Sequence, residues 1–247
     1  MISVCIATFN GERFIKKQLD SILSQIGDED EIIISDDGST DKTLEIIEEY
    51  GDKRIKIYSH QKKQDLQKIK KLRNFYLATS NFENALVRVQ GDYIFLADQD
   101  DIWKNDKVIK TIKCLEKNDI CMSNFSIIDD TDRIINDRFY QSTPISKSLL
   151  VNIMKSRFLG CCMAFRKSVL NYVLPFPNKL IGHDYWIGCL GVHKFKFSFI
   201  EDSLHLYRRT NNNVSSSTGK SQNSIIQRIN YRICFLMQII FRIIKKQ

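Results

Sequence analysis

Short, strongly apolar runs alternate with stretches in which apolar residues recur every three or four positions, and this alternation dominates the first 165 residues. Runs at 2–7, 31–35, 55–58 and 93–97 suit strands covered on both faces, as in a parallel sheet. Phe14, Ile15, Leu19, Ile22, Leu23 and Ile26 keep helical spacing up to Gly27. Leu44, Ile46 and Ile47 mark a second helix that Ser39, Thr40 or Asp41 can cap, and Leu77, Phe82, Ala85, Leu86 and Val89 a third. Strands alternating with helices imply right-handed crossovers, so the pattern predicts an α/β fold with a Rossmann-like, mostly parallel sheet flanked by helices.

Beyond the strand at 93–97 the pattern predicts a helix at 106–117, a strand at 120–125, a turn at Asp129-Asp130-Thr131-Asp132 and a helix at 144–155. The uncharged segment 158–165 reads as a strand entering the core, and Pro175-Phe176-Pro177 breaks the chain before Gly182-His183-Asp184-Tyr185-Trp186. Between Gln61 and Arg73 five lysines surround Leu66, Ile69 and Leu72, which predicts a solvated helical face or a mobile loop. Residues 211–217 are turn-rich, giving a division into a main domain at 1–210 and, at 211–247, a mobile linker with a basic amphipathic C-terminal helix.

At 247 residues and 43% apolar, with three prolines, the chain can bury a large core and is not of disordered composition. No apolar run reaches the 18 residues of a membrane span, and Met1-Ile2-Ser3-Val4 lacks the order of a signal peptide, so a cytoplasmic protein is expected. Seven scattered cysteines without a C-x-x-C pair predict buried, reduced thiols rather than a disulfide framework or a zinc site. The formal charge of +8 suggests nucleic acid until it is located. All 29 acidic residues lie at or before Asp202, where they balance the basic ones, so the excess belongs to the tail. From Ser224 onward Ile225, Ile229, Ile233, Leu236, Met237, Ile240 and Ile243 recur at helical spacing beside Arg228, Arg232, Arg242, Lys245 and Lys246. That is the pattern of a helix lying on an anionic membrane surface; the same pattern also suits a helix packed on the domain or on a second subunit.

The strand at 93–97 runs into Asp98-Gln99-Asp100-Asp101, and carboxylates at a sheet's carboxyl edge are either a solvated turn or a seat for a hard cation. Asp184 is either a helix cap or a base. No G-x-G-x-x-G turn follows a strand, which argues against simple NAD chemistry.

Four pieces stand in order: Ala7-Thr8-Phe9-Asn10-Gly11-Glu12, Asp36-Asp37-Gly38-Ser39-Thr40-Asp41, Asp98-Gln99-Asp100-Asp101-Ile102-Trp103 and Gly182-His183-Asp184-Tyr185-Trp186. Together they resemble family 2 glycosyltransferases of the GT-A fold, most closely the rhamnosyltransferase-like branch that builds bacterial surface polysaccharides. The resemblance implies an inverting enzyme that moves sugar from a UDP- or dTDP-linked donor to a hydroxyl of a lipid-linked glycan. Such an enzyme works at the inner membrane face, in peripheral contact through the tail. It further implies that Thr8 and Phe9 line the nucleotide site, that Asp37 bonds the base or ribose, and that Asp98 and Asp100 hold a divalent ion (Mg2+ or Mn2+) on the diphosphate. By the same resemblance Asp184 is the catalytic base and Gly160-Cys161 lies on the acceptor side or is a plain buried strand; from the carboxylate cluster itself, Gln99 is expected to tolerate change. Asp101 should matter less than Asp100. Two departures stand out: Tyr207-Arg208-Arg209-Thr210 lacks the family's His, leaving Arg208 or Arg209 to substitute, and Thr79-Ser80-Asn81-Phe82 lacks a basic residue. The competing readings are a phosphotransferase or phosphatase using Asp98 and a non-catalytic nucleotide-sugar or glycan-binding module.

Overall fold

The computed structural model describes residues 1–61, 73–155, 157–178, 182–209 and 225–246. The lysine-rich stretch falls mostly outside the described residues, and the turn-rich 211–217 falls wholly outside them. The first half follows the predicted order: β1 (Ile2–Thr8), α1 (Ile15–Leu23), β2 (Glu31–Asp36), α2 (Thr43–Glu48), β3 (Ile55–Ser59), α3 (Arg73–Leu86) and β4 (Tyr93–Asp98). Then come β5 (Ile102–Trp103), α4 (Lys107–Leu115), β6 (Ile120–Ile128), β7 (Ile134–Asn136) and α5 (Leu149–Lys155). A 3-10 turn at Gly160–Cys162 leads into β8 (Met163–Arg166), followed by α6 (Leu170–Val173), α7 (His183–Lys194), β9 (Phe197–Arg208) and α8 (Ile225–Lys245).

One nine-stranded sheet runs β3-β2-β1-β4-β8-β6-β9-β5, with β7 on β6. Alternate residues of each central strand serve opposite faces, as the pleat requires. Val4, Ile6, Ile32, Ile34, Phe95 and Ala97 pack with Leu19 of α1. Cys5, Ile33, Ile94 and Leu96 join the core on the other face with Phe82, Trp186 and Phe235. The β1–β4 half is parallel as expected, with Thr8 level with Asp36, Ala7 with Asp98 and Asp36 with Ser59. Every loop that follows those strands therefore opens on one edge of the sheet.

The sheet is mostly parallel by paired residues, as expected, and becomes mixed past β4. β8 enters antiparallel to both β4 and β6, and β9 returns parallel to β6. The segment predicted as a strand over 158–165 spends its first part on the 3-10 turn, because Gly160 must come close to α7; a Cβ there would stand 2.9 Å from His183 Nε2.

One further expectation is revised and one open alternative is decided. Cys114 and Cys121 form a disulfide, because α4 ends over the start of β6; Cys5, Cys161, Cys162 and Cys189 are buried thiols and Cys234 is exposed. The C-terminal helix packs on the domain: Phe235 and Ile239 are fully buried in the main core, and Phe235 stacks on Tyr185 at 4.1 Å. Among the described residues no helix is long and apolar enough to cross a membrane.

Candidate active site

At the end of β1 the Thr8 side chain is fully buried, and its hydroxyl donates to Asp36 Oδ1 at 2.8 Å. Thr8 therefore does not line an open pocket as expected; it holds Asp36, which accepts from the backbone N–H groups of Gly38 and Ser39 at 2.9 and 2.8 Å and so shapes the second loop. Phe9 is exposed. Asp37 is buried, with His60 Nδ1 2.7 Å from its carboxylate and His60 Nε2 2.9 Å from Ser80 Oγ.

Gln99 was expected to tolerate change, and its geometry says otherwise. The Phe9 N–H donates to Gln99 Oε1 at 2.9 Å, and Gln99 Nε2 donates back to the Phe9 carbonyl at 3.0 Å. The amide thus behaves like one rung of a strand ladder, tying the acidic loop to the nucleotide-side loop. Gly11 leaves room for it, since a Cβ at that position would lie 2.5 Å from Gln99 Oε1 and the amide would have to move.

The three aspartates after β4 divide by burial. Asp98 and Asp100 are half-buried at the rim, whereas Asp101 is fully buried. Asp101 Oδ2 lies 2.7 Å from His205 Nε2, and its Oδ1 accepts the Arg208 N–H at 2.7 Å. Lys107 Nζ stands 3.0 Å from His205 Nδ1 and donates to the Cys161 carbonyl at 2.7 Å. Because the lysine only donates, Nδ1 accepts and Nε2–H donates to Asp101. Asp101 is a post that fixes the loop from beneath. Arg208, expected as a substitute ligand for the diphosphate, is fully buried: Nε donates to the Asp100 carbonyl at 2.7 Å, Nη1 to the Asp129 carbonyl at 2.8 Å, and Nη2 lies 2.6 Å from Asp132. Its guanidinium braces two acidic loops from behind instead of facing the cleft. Arg209 is exposed.

Burial and mutual repulsion keep protons on this cluster. Asp98 is raised well above the usual carboxylate range by burial and then by the charges of Asp101, Asp100 and Asp184. Asp100 is raised to about 7 by burial and Asp101, and Asp101 to about 7 by burial. Oxygens of Asp98 and Asp101 and the Cys161 sulfur come within 4.8 Å of one another. The Cys161 thiol is pushed up by burial and stays protonated, so the usable donors are hard carboxylate oxygens, which suit Mg2+ or Mn2+. The structure gathers Asp98 with Asp101 rather than with Asp100, and both Asp101 oxygens already take a hydrogen bond.

Asp184, at the start of α7 beside Gly160, is close enough for its charge to act on Asp98. The N-cap position is Gly182, at φ +83, while Asp184 Oδ1 accepts the first-turn N–H of its neighbour Tyr185 at 2.7 Å and so also serves the helix N-terminus. Burial raises Asp184 to about 6 against that bond and one from the Gly160 backbone. His183 stacks on Phe82 at 3.9 Å and is held neutral, its pKa pushed down to about 3 by burial.

Sequence reasoning noted the segment that joins these parts only for its missing basic residue, not for its contacts. On α3, Thr79 Oγ1 accepts the Gly182 N–H at 3.1 Å, Ser80 meets His60, Asn81 Nδ2 donates to the Thr8 carbonyl at 3.2 Å, and Phe82 stacks on His183. The available signal was three consecutive small polar residues within a helix that must be buried.

Comparison with solved structures gives the class. Over 96% of this chain and 72% of that one, the fold matches S. aureus TarS in complex with UDP-GlcNAc, with a TM-score of 0.64 at 17% identity. It also matches a Pyrobaculum calidifontis mannosyltransferase in complex with GDP-Man and Mn2+, over 99% of this chain and 64% of that one, with a TM-score of 0.58 at 18% identity. The architecture is the GT-A fold. The sequence profile described as Glycosyl transferase family 2 matches residues 3–174, and the chain belongs to that family. Among its relatives, the dTDP-rhamnosyl transferase RfbG of Shigella flexneri is 39% identical over 113 residues, 44% of this chain and 36% of RfbG. The Escherichia coli UDP-Glc:alpha-D-GlcNAc-diphosphoundecaprenol beta-1,3-glucosyltransferase WfgD is 26% identical over 89% of this chain and 81% of its own length. The relatives are bacterial surface-polysaccharide glycosyltransferases, and family membership favours sugar transfer over the phosphatase reading of Asp98.

Proposed function

We propose that the chain is an inverting glycosyltransferase, dependent on a divalent ion, that moves a sugar from a UDP- or dTDP-linked donor to a hydroxyl of a growing, lipid-linked surface glycan. The observation that supports this best is a second buried carboxylate from a distant part of the chain, Asp184, within electrostatic reach of Asp98 at the end of β4. Phe9 and Asp37 bind the nucleoside. Asp98 and Asp100 would hold the ion, which would supply Lewis-acid stabilisation of the departing phosphate oxygens. Asp184 takes the proton of the acceptor hydroxyl; the acceptor oxygen bonds to the anomeric carbon while the carbon–phosphate oxygen bond breaks, and the nucleoside diphosphate leaves. One base and one displacement invert the anomeric configuration. With a pKa near 6, Asp184 is largely ionised at neutral pH yet basic enough to act.

Mn2+ in the Pyrobaculum complex, the dTDP donor named for RfbG and the diphosphoundecaprenol acceptor named for WfgD support the ion, the donor class and the acceptor class. A lipid-linked acceptor also gives a reason for the basic tail, and with it for peripheral contact at the inner membrane face. The test is incubation with a panel of nucleotide sugars: slow metal-dependent release of free sugar and nucleoside diphosphate without acceptor is expected from one donor class. Binding with no hydrolysis or transfer would leave only the glycan-binding module.

A further inference from the structure

The C-terminal helix uses one side to dock and leaves the other bare. Arg242 Nη1 donates to the Tyr172 and Leu174 carbonyls at 2.9 and 3.0 Å, on the same side as the buried Phe235 and Ile239. On the opposite side Ile233, Met237, Phe241 and Ile244 follow one another at helical spacing, and the last three are 62%, 68% and 66% exposed. A second helix adjoins this one: Arg232 donates to the Met154 carbonyl at 2.8 Å, so α5 lies alongside α8. Leu150 and Met154 of α5 are also bare, at 62% and 55% exposed.

Charge says what covers this surface. No acidic residue lies between Asp137 and Asp184, and none follows Asp202, so both helices belong to acid-free stretches that are far apart in sequence. Lys147, Lys155, Arg157 and Lys245 are exposed on or beside them. A second copy of the chain would set these cations against themselves, whereas an anionic bilayer accepts both the apolar side chains and the charge. The surface is also wired to the acceptor side of the cleft. Tyr185, next to Asp184, bonds through its hydroxyl to the Ile153 carbonyl of α5 and stacks its ring on Phe235 of α8.

We propose that α5 and α8 form one membrane-seating face on the folded domain, that its partner is an anionic phospholipid surface, and that this seat brings the acceptor's lipid-linked end to Asp184. The last step rests on the transferase reading; vesicle binding does not. The test is sedimentation of the full chain with phosphatidylglycerol-containing or pure phosphatidylcholine vesicles. The variants are Leu150→Glu/Met154→Glu, Met237→Glu/Phe241→Glu and Lys155→Glu/Lys245→Glu, with donor hydrolysis measured alongside. Each pair should weaken binding to the anionic vesicles by about tenfold or more, with hydrolysis unchanged and little wild-type binding to phosphatidylcholine. Unchanged binding by the α5 pair would overturn the two-helix face, and equal affinity for neutral vesicles would overturn the choice of partner. A dimer that Met237→Glu dissociates, with no vesicle binding, would assign the face to a second copy. Absent hydrolysis in the wild type would sink the transferase reading and leave the membrane result standing.

Discussion

Gln99 and Asp184 show how far a single side chain's chemistry reaches. Gln99→Ala removes both bonds to the Phe9 backbone. At about 0.5–1.5 kcal/mol each, their loss should raise the donor KM roughly tenfold with a smaller change in kcat; an unchanged KM would show that the two loops hold their places without it. Asp184 carries a stability cost as well as a role. Its folded pKa, about 6, lies above the ordinary carboxylate value, so the folded state holds the proton more tightly. Its contribution to stability is therefore greatest below the unfolded pKa and is lost as pH rises through about 6. Asp184→Asn should melt higher than wild type at pH 8, with the gap closing by pH 5. A lower melting temperature at both pH values would mean that the carboxylate is needed for the fold. Asp101→Asn should behave in the opposite way, losing about 1–3 kcal/mol because His205 Nε2–H or the Arg208 N–H is left unmatched in the interior.

At the scale of elements, α3 makes neighbouring residues separable. Thr79→Val frees the Gly182 N–H that sets the turn before Asp184, while Ser80→Ala frees His60 and, through it, Asp37. The first change should lower kcat several-fold at constant donor affinity, and the second should raise the donor KM at nearly constant kcat. Equal effects from both would reduce α3 to plain packing. The same helix shows what could be read from the sequence. β1, β2 and β4 were legible because strands buried on both faces carry unbroken apolar runs, and the first three motif loops because each sits at the end of such a run. The work of Thr79, Ser80 and Asn81 was not, since a small polar residue in a helix gives no sign of the distant backbone it will meet. Arg208 was misplaced for a related reason: a basic residue near an acidic motif suggests a ligand contact, and only the register of β9 beside β6 reveals that Arg208 faces inward. The reversal of β8 was equally hidden, because strand direction depends on the path of the loops between strands.

The whole molecule combines a charge-neutral first 202 residues with a basic tail docked on them. At its cleft, three carboxylates are crowded enough to keep protons near neutrality. Their folded pKa values lie above the unfolded ones, so the metal-free protein loses stability as pH rises toward and through about 7. The ion proposed for Asp98 and Asp100 would offset that repulsion. Mn2+ with UDP or dTDP should therefore raise the melting temperature more at pH 8 than at pH 5; an equal rise at both would place ion binding away from the cluster.

The central claim is that donor and acceptor chemistry belong to separate aspartates. The most direct test measures donor affinity by calorimetry, with Mn2+ present, and transfer rate on the same preparations of Asp184→Asn and Asp100→Asn. Asp184→Asn should bind donor almost as wild type does while transfer falls by about 10²- to 10⁴-fold, the usual worth of a positioned base. Asp100→Asn should lose donor binding and transfer together. Retained transfer in Asp184→Asn, or donor binding lost with it, would contradict the account.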